Sequence, residues 1–126
     1  MRARTDVPGF GPWTIKGGIQ HVEPPFAIIN AMLTVRIHLD PVPADNAPLL
    51  VALGSHKLGR IPEASIQAVV DRSSVHACLA AAGDVWIYAT AILHASHAAA
   101  RPARRRVLQV DYAAAELPGA LAWAGL

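Results

Sequence analysis

The clearest pattern of hydrophobic and polar positions runs through residues 32–40, MLTVRIHLD. Apolar and polar side chains alternate there in the order Leu33, Thr34, Val35, Arg36, Ile37, His38, Leu39 and Asp40. Period-2 alternation over this length predicts a β-strand with one apolar and one ionisable face. Because ionisable side chains are costly to bury in a dry core, we expect the polar face to line solvent or a wet cavity.

Short β-branched or apolar runs between Gly- and Pro-rich turns predict further strands. They lie at residues 13–16, 49–54, 75–80, 84–89, 91–95 and 105–112. One convincing helix is predicted over 62–71, PEASIQAVVD, with Pro62 in its first turn and Glu63 near its positive end. Many short strands and one short helix predict a mainly β protein, a single domain over residues 1–126, with a jelly roll as the best architecture.

The composition of the chain limits the kinds of partner that we expect it to bind. The chain has 126 residues, of which 53% are hydrophobic and 16% charged, with a net charge of +2. Much of the basic excess is one cluster, Arg101, Arg104, Arg105 and Arg106. This is not a broad basic stripe, so we expect no nucleic-acid partner. No apolar stretch is long enough to span a bilayer, and we expect no membrane partner. The mean hydropathy of +0.33 favours self-association through exposed sheet edges.

Cys78 is the single cysteine, so no intrachain disulfide can form. It lies in the apolar run VHACLAAAG, which predicts a buried, unreactive thiol. The first residues, MRARTDVPGF, contain no apolar segment typical of a secretory signal. Together these features favour a reducing compartment, and we expect a cytoplasmic protein.

The strongest chemical signal lies in residues 83–112. His94 stands near the end of a β-branched and aromatic run, and Arg105 follows eleven positions later (105 − 94 = 11) at the start of another strand-like run. An imidazole can hold a metal, and a guanidinium can grip a carboxylate by a two-point fork. Ser96 points to the same face as His94 if the strand continues. We therefore expect the strands of His94 and Arg105 to be neighbours and both side chains to face one pocket.

A second arrangement stays open at this point. His38 and Asp40 are spaced to project from one face of a strand, and with His94 they would complete a 2-His-1-carboxylate set of the kind that favours Fe(II). The competing interpretation is that Asp40 begins a turn. His21 and His56 lie in loops and are weaker metal-ligand candidates, while Asn46 and Ser55 are predicted turn formers.

The sequence resembles the phytanoyl-CoA dioxygenase family of Fe(II)/2-oxoglutarate oxygenases. The matching pieces are HVEPP (21–25), LTVRIHLD (33–40), DNAPLLVALGSHKLGRI (45–61), GDVWIYATAILHAS (83–96) and RRVLQVDY (105–112). The resemblance implies a double-stranded β-helix, which is a jelly roll. It also implies Fe(II) and 2-oxoglutarate as cofactors, a small-molecule substrate, His94 as the distal metal ligand, and Ser96 and Arg105 as 2-oxoglutarate ligands.

In one respect the sequence departs from the family pattern, and this changes the metal site and the activity that we expect. In this family the metal-binding H-x-D motif occurs upstream of the segment matching HVEPP, and none of the 20 residues before His21 is histidine. The resemblance therefore implies a jelly roll incomplete at its N-terminus, with one of three metal ligands, that is weakly active or inactive alone. Two alternatives remain: a non-catalytic β-sandwich binding module, and a cupin-like metal enzyme using His38, Asp40 and His94.

Overall fold

The structure is a computed structural model and describes residues 6–123. Eight short strands dominate it, as the pattern of the sequence predicts. They are β1 (Trp13–Lys16), β2 (Ile19–Val22), β3 (Leu33–His38), β4 (Leu49–Ala52), β5 (Val75–Cys78), β6 (Val85–Ala89), β7 (His94–Ala95) and β8 (Val107–Tyr112). Two short helices, α1 (Phe26–Asn30) and α2 (Ile66–Arg72), accompany them.

The helix predicted over 62–71 begins later than expected. A 3-10 turn occupies Glu63–Ser65, and α2 runs from Ile66 to Arg72. Pro62 precedes the 3-10 turn in an extended conformation, so it ends the preceding loop rather than opening an α-helical turn. Helix α1 and strand β2 lie in the Gly- and Pro-rich first quarter, where the sequence predicted loop and one short strand.

The strands form three antiparallel sheets. Strands β1 and β2 make a hairpin, and the two larger sheets have the orders β6-β3-β8 and β5-β4-β7. In the first larger sheet, β3 is the central strand, paired with β6 along one side and β8 along the other. The protein is therefore mainly β, as predicted, while the finer assignment to a jelly roll stays a prediction.

The core lies between the two three-stranded sheets. Val51, Cys78 and Ile92 form a buried cluster, and Trp86 and Tyr88 of β6 pack against it. Because Val51 and Cys78 belong to the other sheet, these contacts define an inner face for each sheet. Cys78 is free and buried, as predicted, and burial raises the pKa of its thiol.

Strand β3 places its polar side chains on the inner face. Arg36 pairs with Trp86 across the sheet, and paired residues of an antiparallel sheet share a face. Thr34 and His38, two positions to either side, are 2% and 4% exposed. The polar face of β3 is therefore buried between the two sheets, where the sequence predicted solvent or a wet cavity, and the apolar residues of β3 point outward.

No helix among residues 6–123 is long and apolar enough to cross a membrane.

Candidate functional site

His94 belongs to β7, an edge strand of the sheet β5-β4-β7, and lies on the face of that sheet that points toward the sheet β6-β3-β8. It pairs with Val51 of β4 in antiparallel register, so the two side chains share a face. The imidazole centroid lies 6.2 Å from the ring centroid of Tyr88, a residue of the opposite sheet. Strand β7 has two residues and an exposed surface, so the ring is open to solvent while it faces the space between the sheets.

The hydrogen bond of His94 selects one tautomer. Its Nδ1 atom lies 2.9 Å from the carbonyl oxygen of Ile92, and because a carbonyl can only accept, Nδ1 donates. The proton is then on Nδ1, and Nε2 keeps its lone pair. An Nδ1–H bound to a backbone carbonyl is the arrangement that orients metal-ligating histidines. His94 can therefore act as a metal ligand through Nε2.

Ser55 holds the segment that carries His94. Its buried hydroxyl oxygen accepts a hydrogen bond from the backbone N–H of Leu93 at 2.9 Å. Ser55 also begins the 3-10 turn Ser55–Leu58, so the prediction of a turn former is confirmed but incomplete. A small hydroxyl residue after a glycine gave no sign of this long-range contact.

Arg105 lies two residues before β8 and does not lie beside the strand of His94. Strand β8 pairs with β3, and β7 pairs with β4, so the two strands belong to different sheets. The expectation of neighbouring strands is therefore wrong. The separation arises because the chain between 96 and 106 crosses from one sheet to the other before it pairs again.

The Arg105 guanidinium is held by the loop before β4. Its Nη1 donates a hydrogen bond to the carbonyl oxygen of Ala47. Next to that loop residue, Asn46 binds the backbone of Ala103 with both ends of its amide, at 3.2 and 3.4 Å. His38 pairs with Val107, two residues after Arg105, and the positive charge of Arg105 is one of the causes that lower the pKa of the His38 imidazole. Its remaining N–H groups can still grip a carboxylate.

Ser96 follows β7 by one residue and is exposed to solvent. The position keeps it next to His94 along the chain, on the segment that leaves the sheet. Its predicted role as a 2-oxoglutarate ligand stays a prediction.

The cupin-like set of His38, Asp40 and His94 is not formed. Both carboxylate oxygens of Asp40 are bound to Arg106, at 2.9 Å to Nε and 2.9 Å to Nη2, and the backbone N–H of Arg106 donates as well. These hydrogen bonds hold the pKa of the Asp40 carboxyl far below its usual range. Asp40 therefore lies in a bend after β3, as the competing interpretation expects, and its carboxylate ties the end of β3 to the start of β8.

The described part of the chain does not fit a complete iron centre. Within residues 6–123, no three His, Cys, Asp or Glu side chains come close enough to hold a metal ion. His21 and His56 therefore do not complete a site with His94. Residues 1–5 and 124–126 contain none of these four residue types. One imidazole is a weak ligand set, since chelation by neighbouring ligands is what gives a metal site its affinity.

Two inner-face residues have a role that the sequence analysis missed. Thr34 donates a hydrogen bond of 2.6 Å to Asp111 and lies 3.0 Å from the hydroxyl oxygen of Thr90. Arg36, two positions along β3, has its Nε atom buried without a hydrogen-bond partner. The signal was present, because a cation at the centre of an alternating strand needs a wet or charged environment. Alternation alone did not say which face would be buried.

Comparison with known proteins agrees with the pattern of these residues. The family model described as phytanoyl-CoA dioxygenase (PhyH) matches residues 17–107. The matched range contains His94, Ser96 and Arg105, together with strand β3, which carries inner-face polar residues. No curated protein matches the chain. Since the family model covers well over half of the 126 residues, the chain belongs to the phytanoyl-CoA dioxygenase family.

Proposed function

We propose that this chain is an Fe(II)/2-oxoglutarate oxygenase of the phytanoyl-CoA dioxygenase type in its architecture, and that alone it hydroxylates a small molecule weakly or not at all. His94 would be its metal ligand, and Arg105 with Ser96 would hold 2-oxoglutarate. The observation that carries this assignment is the Nδ1 hydrogen bond of His94 to Ile92, which leaves Nε2 available. Family membership supports the same roles.

The roles of the residues follow from their chemistry. The Arg105 guanidinium is permanently charged and presents several N–H groups, so it can bind one carboxylate by two hydrogen bonds. Its contact with the Ala47 carbonyl fixes its position before any ligand arrives. The hydroxyl of Ser96 can donate to the same carboxylate or to its neighbour along the ligand.

A second candidate function is a non-catalytic binding module. The small number of metal ligands favours this function. Among the residues that the structure describes, no two further metal-binding side chains lie close enough to His94 to share a metal ion with it. In this case the chain would bind a carboxylate ligand through Arg105 and perform no oxidation. The two functions differ in whether iron contributes to binding.

An anaerobic optical titration tests how much of the metal site this chain forms by itself. With Fe(II) and 2-oxoglutarate added to this chain, we expect no strong metal-to-ligand charge-transfer band, because one imidazole does not hold the metal well. A clear band that the variant His94→Ala loses would show that the chain forms the metal site unaided, which contradicts the proposed weakness.

Binding of 2-oxoglutarate tests Arg105 directly. Arg105→Ala should weaken the affinity by about tenfold or more, since a charge-assisted hydrogen bond contributes roughly 1.5–3 kcal/mol. Arg104→Ala is the matched control, because Arg104 is the adjacent residue and is also exposed. An unchanged affinity in Arg105→Ala would refute the assigned role of this residue.

A further inference from the structure

The inner face of β3 carries polar groups that the protein does not satisfy. His38 is 4% exposed, and its Nδ1 atom is buried without a hydrogen-bond partner. The Nε atom of Arg36, two residues earlier on the strand, is also buried without a hydrogen-bond partner. Buried polar atoms in proteins are nearly always paired, so two orphaned nitrogens on one face of one strand require an explanation.

The charge of Arg36 lies between the two sheets. Burial raises the pKa of both Tyr88 and Cys78, and at each of them the positive charge of Arg36 opposes the rise. Tyr88 belongs to β6 and Cys78 to β5, which lie in opposite sheets. Arg36 also pairs with Trp86, which packs against Val51 and Cys78 of the other sheet, so the Arg36 side chain lies on the face that points between the sheets.

None of the ion pairs in the part of the chain that the structure describes includes this guanidinium. The ion pairs among residues 6–123 are Arg60–Glu23, Arg101–Asp45 and Arg106–Asp40. Two acidic residues lie near the inner face, and neither forms an ion pair with Arg36. Asp111 accepts the Thr34 hydroxyl, and Asp84 accepts the backbone N–H of Ala81 at 2.8 Å. A partly buried guanidinium without an ion-pair partner is costly for a fold, and such positions are typical of ligand sites.

We infer that Arg36 and His38 form, with Arg105, a carboxylate-binding site between the sheets that takes a short dicarboxylate without a metal ion. The inference rests on the proposed function for Arg105, which would hold one carboxylate. Arg36 and His38 supply donors for the other end of the ligand. Arg36 lies two residues before His38 on the same face of β3, and Arg105 lies two residues before Val107, the β8 partner of His38. The three residues therefore occupy neighbouring positions at this end of the sheet. Such a site would bind a dicarboxylate even though the chain supplies one metal ligand.

Calorimetric titration in the presence of EDTA tests this inference. The ligands are 2-oxoglutarate, succinate and glutarate, with butyrate as the monocarboxylate. We expect the wild-type chain to bind at least one dicarboxylate without metal and to bind butyrate about tenfold or more weakly, since one charged contact is lost. Binding of 2-oxoglutarate alone would identify a keto-acid site, and equal binding of all three would identify a general dicarboxylate site. Absence of metal-free binding would overturn the inference.

Substitution of Arg36 separates a ligand role from a structural one. Arg36→Met should weaken dicarboxylate binding about tenfold or more while Tm stays equal or rises, because an unneutralised buried charge is removed. Arg36→Lys keeps the positive charge but loses the two-point hydrogen bonding of the guanidinium, so this variant should bind dicarboxylates with intermediate affinity. Arg72→Met, at an exposed position of α2, is the matched control and should bind normally.

The outcomes distinguish this inference from the proposed function. If Arg36→Met binds as well as wild type while Arg105→Ala does not, the inference is wrong and the role of Arg105 stands. If Arg36→Met lowers Tm and weakens binding no more than Arg72→Met, Arg36 is a structural residue and the inference is also wrong. If Arg105→Ala alone has no effect, the proposed role of Arg105 fails.

The outer face of the sheet β6-β3-β8 carries an independent inference. By the strand register, three rows of three apolar side chains lie on it: Leu33, Ala89 and Tyr112; Val35, Ile87 and Val110; Ile37, Val85 and Leu108. Five of them are at least half exposed: Leu33, Val85, Ile87, Leu108 and Tyr112. No charged residue interrupts this grid, which is unusual for a solvated sheet face.

We infer that this apolar grid packs against the same grid of a second copy of the chain. Five large side chains that are half exposed offer roughly 500 Å², and the partly exposed members raise this toward the roughly 800 Å² per partner of a standard interface. A patch without charges can face itself across a two-fold axis with no repulsion. Two sheets packed face to face at about 10 Å would interdigitate these side chains as in a sandwich.

Sedimentation over a concentration series tests the dimer. The wild-type chain should reach a dimer at micromolar concentrations, and Ile87→Lys should shift it to monomer by raising the dissociation constant about a hundredfold or more. Ile15→Lys is the matched control, because Ile15 on β1 is 63% exposed and Ile87 is 62% exposed. A wild-type chain that stays monomeric, or equal effects of the two substitutions, would overturn this inference.

Discussion

The two faces of the sheet β6-β3-β8 reverse the usual distribution of side chains. The inner face of β3 buries Thr34 and His38 and orients Arg36 toward the core, whereas the outer face leaves Leu33 and Ile87 exposed. In an ordinary half-buried antiparallel sheet the apolar face is the one that packs. Here the polar face packs, and it does so against a small core of Val51, Cys78 and Ile92 with their neighbours.

This reversal indicates that both faces serve contacts with other molecules. A polar inner face with unpaired nitrogens is costly for folding, so it is best explained by a ligand that pairs them. An apolar outer face without charges is best explained by a protein surface that covers it. The folding energy of the isolated chain must then come mainly from the cluster between the sheets.

Replacing buried and exposed isoleucines should give the largest contrast. Ile92→Ala removes a side chain that is 8% exposed and should reduce the free energy of unfolding by about 2–4 kcal/mol. Ile87→Ala, on the outer face, should reduce it by less than about 1 kcal/mol. Urea denaturation of the dilute protein measures both. Equal losses would show that the outer face is already packed in the isolated chain.

Exchanging hydroxyl and methyl groups tests the polar inner face. Thr34→Val removes the hydrogen bonds to Asp111 and Thr90 and should cost about 1–2 kcal/mol of unfolding free energy, although valine is the better β-former. Val85→Thr makes the inverse change on the exposed outer face and should cost less than about 0.5 kcal/mol. A more stable Thr34→Val would mean that the inner face tolerates apolar residues and needs no polar contacts.

Stability should fall as the pH is lowered through the range in which histidine titrates. Burial, with the nearby charges of Arg36 and Arg105, lowers the pKa of His38 below 6.5, while Asp84 opposes the shift. The unfolded chain then binds the proton first, so this contribution to stability is present above pH 6.5 and is lost as pH falls through the folded pKa. His38→Asn should flatten the dependence of Tm on pH between about 7 and 5. An unchanged slope would contradict the burial of a neutral imidazole.

The smallest effect is expected where Asp40 joins β3 to β8. Asp40→Asn removes the ionic hydrogen bonds with Arg106 and should lower Tm slightly at neutral pH. Because the folded pKa of Asp40 lies far below its unfolded value, the contribution is present above pH 3.8 and is lost as pH falls further. The difference in Tm between variant and wild type should therefore shrink as pH falls below about 4. A difference that persists there would assign the loss to packing.

The sequence predicted the strands better than their partners. Alternation located β3 closely, because a period of two is imposed by the pleat and is visible locally. The β-branched and aromatic run located β6. Alternation could not show that β8 pairs with β3 rather than with β7, since this depends on where the chain between 96 and 106 crosses. Nor could it show that the apolar side of β3 is exposed, because both sides obey the same period.

The sequence predicted only part of the candidate site, because a local pattern does not record tertiary contacts. His94 and Arg105 were selected from residue type and family resemblance, whereas the carbonyl contacts at Ile92 and Ala47 depend on tertiary structure. Arg36 was overlooked as one of several polar residues on a strand. Its significance follows from burial and from missing partners, which no linear pattern records.

The central claim is that ligands bind the polar inner face between the two sheets. A metal-free titration of the ¹⁵N-labelled chain with 2-oxoglutarate, followed by amide and side-chain chemical shifts, tests it most directly. The account predicts shifts at Arg36, His38 and Arg105, with the outer-face residues Ile87 and Leu108 unaffected. Shifts confined to the outer face, or none at millimolar ligand, would contradict it.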